Sequence, residues 1–117
     1  MNPRDLTLAL LRGDDLTARQ GVKDAARAGF SWSQAPAPDF KGPRGRAAYA
    51  AVVELLASRA GQAPPTWTGS VGDAPAPLFL VRAAKRSKAL RSESRNSTPE
   101  PLKKRNVFAL RDYLDVL

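Results

Sequence analysis

Apolar residues recur at helical spacing in the first half of this chain and lose that spacing in the Pro-rich passages between. The opening NPRDLTLALLRG predicts a short helix, with Asn2 as cap, Pro3 in the first position, Asp5 near the positive end and Gly13 as the stop. DLTARQGVKDAARAG predicts a second, capped by Asp14 or Asp15 and ended by Gly29. Its thin apolar face is Leu16, Ala18, Val22, Ala25 and Ala26, and Gly21 in its middle costs about 1 kcal/mol relative to Ala. FSWSQAPAPDFKGPRGR is turn-rich, extended near 35–45, with Phe30 and Trp32 pinning it to the first two helices. RAAYAAVVELLASRAG is the clearest helix: Ala48, Val52, Leu55 and Leu56 form its stripe, Tyr49 and Val53 widen it, and Gly61 ends it.

A second connector, near 62–77, holds PPTWT; a loop of that length in a small domain is packed or functional, and Trp67 argues for packing. From Pro77 a further long helix is expected, with Phe79, Leu80, Ala83, Ser87 and Leu90 in one arc and Arg82, Lys85, Arg86 and Lys88 opposite. RSESRNS reads as its break, and Thr98 as the cap of a short helix holding Pro99, Glu100 and Pro101. RNVFALRDYLDVL reads as a turn and a helix with Val107, Leu110, Tyr113, Leu114 and Leu117 inward, a strand being the weaker alternative. The expected architecture is all-α: one domain over 1–117, about five helices bundled with packed Pro-rich loops. Its large anchors are Trp32, Phe40, Tyr49, Trp67, Phe79, Phe108 and Tyr113.

Composition then removes most chemistry. With no Cys and no His, the chain has no disulfides, thiolate zinc sites, Cys nucleophiles or Ser-His-Asp triads. Carboxylates are the only acid sites: Asp14 and Asp15, adjacent at one helix start, do not converge and suit capping, and no environment for shifting a pKa is visible for them or for Glu54, Asp112 and Asp115. Neither GxxxxGK(S/T) nor GxGxxG occurs, so no phosphate-cradling loop is expected. The reading is a non-enzyme, with no catalytic residues, no cofactor and no metal. No apolar run reaches the ~20 residues that span a bilayer, and the acidic N-terminal stretch is unlike a signal peptide, so no membrane role and a cytoplasmic location are expected.

Charge points to a partner. The net charge is +8, and residues 82–106 hold nine of the 19 basic residues against two of the 11 acids. Arg82, Lys85, Arg86 and Lys88 are expected on one helical face, Arg91 and Arg95 follow, and Lys103, Lys104 and Arg105 form a run before Val107. Such one-sidedness suits an acidic protein or nucleic-acid phosphates, the alternative being a solvated face. Ser92, Ser94, Asn96 and Ser97 could add hydrogen bonds to phosphate oxygens. No helix-turn-helix, zinc-finger or RRM signature is present, and no aromatic interleaves the charges to stack on bases. Trp67 is the candidate interface aromatic, with packing on the helix of 47–60 as the favoured reading.

The segments TARQGVKDAARAGFSW, VVELLASRAGQAPPTWTGSVGDAPAPLFLVRAA and TPEPLKKRNVF resemble a group of small, mostly uncharacterised bacterial proteins. The shared order is D-A-x-x-A-G-x-x-W, P-P-x-W-T, P-x-F-L-V-x-A-A and P-L-x-x-R-x-V-F, covering most of residues 16–108; Gly21 departs from it, standing where a bulky aromatic is expected. Some members of the group look like the antitoxin half of a toxin–antitoxin pair, often accompanying a nucleotidyltransferase-like protein. The resemblance implies that Phe79–Arg91 and Leu102–Phe108 dock such a toxin, setting Lys and Arg against its acidic rim. The rival expectation is a nucleic-acid-binding protein that grips phosphates with little base readout.

Overall fold

The computed structural model describes residues 2–80, 86–110 and 114. They form a mostly helical globule: α1 (Pro3–Leu11), α2 (Asp15–Arg27), α3 (Pro43–Arg59), β1 (Leu78–Phe79), α4 (Lys88–Ser97), α5 (Glu100–Lys103) and β2 (Val107–Phe108). Single 3₁₀ turns at Trp32–Gln34 and Thr66–Ser70 punctuate the two connectors. No helix among the described residues is long and apolar enough to cross a membrane.

The first three helices follow their end signals. The Asn2 side chain accepts from the Asp5 amide at 2.8 Å, and Asp14 rather than Asp15 caps α2, accepting from Thr17 at 3.2 Å. Gly13, Gly29 and Gly61, expected as stops, sit at φ of 75°, 66° and 70°, where a side chain is strained. Each closes a Schellman turn; after α3 the Gly61 amide donates to Ser58 at 3.1 Å and the Gln62 amide to Ala57 at 2.8 Å.

α3 is the centre of the fold. Every residue from Ala47 to Ala57 is buried, so the expected stripe is in fact a helix buried on all sides. Its alanines admit close neighbours: α1 and the 32–34 turn on one side, α5 and β2 on another. On α2, Ala18, Val22 and Ala25 are buried as expected, whereas Leu16 is 83% exposed and Ala26 also faces solvent.

Both connectors are fastened to α3. The Gln62 side-chain oxygen accepts from the Trp32 and Ser33 amides at 2.6 and 3.2 Å, and Phe30 meets Trp32 edge-on. A second cluster gathers Ala35, Tyr49 and Val53 under Phe40 and Trp67. The Tyr49 hydroxyl donates to Pro36 O at 2.7 Å. Phe40 lies directly on Gly45, where a Cβ would come within 2.7 Å of the ring. Gly45→Ala is therefore expected to destabilise by about 1 kcal/mol in a urea melt: overpacking of about 1–3 kcal/mol outweighs the ~1 kcal/mol gained in helix propensity.

The second half departs from its expected helices. Instead of a helix from Pro77, Leu78–Phe79 pairs in parallel with Val107–Phe108, which is thus a strand and not the inner face of a last helix. Leu78 and Leu80 are buried on alternate positions and their amides donate to Asn106 and Phe108 carbonyls, both at 3.0 Å. This period of two, closed by a partner almost thirty residues away, outweighs the local helical arc. RSESRNS is not a break but most of α4, whose cap is Ser87, accepting from Leu90 at 3.2 Å. Thr98 closes α4 instead of opening α5: its hydroxyl donates to Ser94 O and accepts from the Ala109 amide at 3.4 Å. Ala83, Tyr113 and Leu117, expected inside, lie outside the described residues, while Leu114 is buried in the core.

Candidate docking surface

The basic segment divides by what its cations are held by. In the chain segment LKKRN, Leu102 is fully buried in α5 and the next three residues diverge. Arg105 turns inward and is 4% exposed. Its guanidinium meets Glu54 of α3 at 2.5 Å and donates to Thr68 O at 2.7 Å, tying α3 to the 62–77 connector and to the chain entering β2. Lys104, half-exposed, reaches the other Glu54 oxygen at 2.7 Å. Burial pushes the Glu54 carboxyl upward, but hydrogen bonds and charge from Lys104 and Arg105 outweigh it and hold the pKa below the usual glutamate value. Arg105 therefore presents no free cation to a partner, and Lys104 presents one already shared. Lys103 alone of the three is exposed and makes no ion pair among the described residues.

α4 and the turn before it carry the second group of the basic segment. Ser94 is buried against the fold, Leu90, Arg91 and Ser97 are half-buried, and Arg86, Lys88, Ser92, Arg95 and Asn96 face outward. Arg95 lies over the stacked rings of Phe79 and Phe108, 5.5 and 5.2 Å from their centroids. That contact joins the polar helix to the strand pair and is worth about 0.5–1 kcal/mol at an exposed site. Ser97 donates to Glu93 within its own helix at 2.8 Å, and the Ser94 hydroxyl is enclosed, so of the four polar residues only Ser92 and Asn96 face outward. Arg82 and Lys85 lie outside the described residues. The outward cations of the basic segment, among the described residues, are thus Arg86, Lys88, Arg95 and Lys103, with Lys104 exposed but already paired with Glu54.

Trp67 is anchored inside its own chain. Its ring stacks on Tyr49 at 5.4 Å and its indole N–H donates to Ala35 O at 2.8 Å. Among the acids, Asp14 is a cap whose pKa is lowered by its hydrogen bonds from Thr17, Glu54 is an ion-pair partner, and Asp112 and Asp115 lie outside the described residues. No group of three or more metal-ligating side chains forms among the described residues. Sequence reasoning missed Glu54 as the partner of Arg105, although the signal was there: one carboxylate inside AAYAAVVELLA, a stretch with no other polar charge, requires a buried cation.

The chain matches no model of a known protein family, no curated protein and no solved structure.

Proposed function

We propose that this is a non-catalytic docking protein that binds an acidic protein partner through the outer face of α4 and α5. The observation that carries the reading is the division of labour among the cations: Arg105 and Lys104 neutralise Glu54, while Arg86, Lys88 and Lys103 stand exposed without an ion pair among the described residues. Charges that no acid among the described residues pairs with set up a local positive field, which speeds encounter with a negative surface and orients it. In its most specific form the reading is antitoxin-like, with a nucleotidyltransferase-like toxin as partner, whose metal-binding rim is rich in carboxylates and so opposite in sign.

Tagged protein purified from its native cells, with and without nuclease, tests this. A stoichiometric protein that stays bound after nuclease is the expected result. Co-purifying nucleic acid that nuclease removes, leaving no protein behind, would overturn it and make phosphate binding the primary function. Salt gives the same contrast: phosphate contacts lose affinity by orders of magnitude between ~50 and ~200 mM salt.

A further inference from the structure

The start of α3 carries Lys41, Arg44 and Arg46, all exposed and none in the basic segment already described. No acid stands in the first turn of that helix. Among the described residues, Arg46 makes one side-chain hydrogen bond, to the Phe40 carbonyl at 3.5 Å, and Lys41 and Arg44 make no side-chain hydrogen bond or ion pair. Cations at the positive end of a helix add to its field instead of offsetting it, so the fold gains nothing from them locally.

Two small cavities locate this group. A recess of about 220 Å³ is lined by Lys41 and Arg46 together with Ser70, Gly72 and one acid, Asp73. A second, narrow recess is lined by Arg44, Leu10, Leu78 and Phe79, among others. Phe79 is the half-buried ring over which Arg95 of α4 already lies at 5.5 Å. Arg44 of α3 thus borders a recess that Phe79 also lines, and Arg95 of α4 lies over that same ring. Phe79 of the strand pair, not the chain order, links two basic groups, Arg44 and Arg95 standing about fifty residues apart in sequence.

From this continuity we infer that the docking face extends across Phe79 to the start of α3, and that Lys41, Arg44 and Arg46 make a second contact with the same acidic partner. The inference rests on the docking reading above. It predicts a partner surface with two carboxylate clusters separated by an apolar contact over the Phe79 ring, since a band of cations with a half-buried aromatic at its middle has that complement.

The test uses poly-L-glutamate as the probe and three variants whose circular dichroism must match wild type: K41E/R44E/R46E, R86E/K88E/K103E, and K23E/R27E on the exposed side of α2. The first two sets are each expected to weaken binding by about tenfold or more, and the α2 set by less than about twofold per charge. If the 41–46 set behaves like the α2 set while the 86–103 set weakens binding, the extension is wrong and the docking face stands alone. If neither set weakens binding, the docking reading itself falls. Tighter binding to a short DNA duplex than to polyglutamate at equal salt would assign the whole band to nucleic acid and overturn both.

Discussion

Glu54→Gln is expected to destabilise the fold by about 3–5 kcal/mol, because it leaves the Arg105 guanidinium buried without its counter-charge. Lys104 does not rescue it, since it is a cation itself. Arg105→Met should cost less, because Lys104 still reaches Glu54 and half of the carboxylate's compensation survives. Glu54→Gln combined with Arg105→Met should cost far less than the sum of the two single changes, which is the signature of a coupled pair. Urea denaturation of the four proteins reads all of this, and an additive double mutant would contradict it. The same pair sets the acid response. The Glu54 carboxyl titrates below its ordinary value near 4.5 in the folded protein, so its contribution is complete above that value. It is lost as pH falls from there through the folded pKa. Wild type should therefore lose stability over that acid range more steeply than Glu54→Gln does.

Trp67→Ala is the second large effect, about 3 kcal/mol. The indole covers Tyr49, satisfies the Ala35 carbonyl and holds the 62–77 connector onto α3. Trp67→Phe keeps most of the ring contact and loses the hydrogen bond, so it should cost about 1 kcal/mol. An aromatic serving only a partner would give the opposite pattern: unchanged melting for Trp67→Ala and weakened binding. Thermal melts of both variants separate the two cases.

How much of this was legible depends on how local each signal is. α1, α2 and α3 are written in adjacent residues, a cap at Asn2 or Asp14, a proline in the first turn, a glycine at the end, and they form where those residues stand. β1 and β2 are two residues each and exist only because Leu78 meets Val107 and Phe79 meets Phe108. Nothing in LFL or VFA announces that pairing, and a helical wheel drawn through Pro77–Leu90 also yields an apolar arc. Once the strand takes Leu78 and Phe79, the helix must start later, at the Ser87 cap, and so it absorbs RSESRNS.

The site follows the same rule. The excess of charge in residues 82–106 is plain in composition, and Arg86, Lys88 and Lys103 are exposed. Which cation of the run Lys103–Arg105 turns inward is not a property of the run. It is set by Glu54 on the buried face of α3 and by the Thr68 carbonyl, both brought there by the fold. Likewise the aromatic absent from among the charges in sequence is supplied in space, where Phe79 and Phe108 stack beneath Arg95.

The most direct measurement is the equilibrium affinity of the recovered protein partner for wild type and for R86E/K88E/K103E at near-physiological salt. Docking through this face predicts a loss of about a hundredfold or more, with each reversed charge facing a carboxylate. Unchanged affinity, in a variant that melts like wild type, would contradict it and leave these cations as a solvated face.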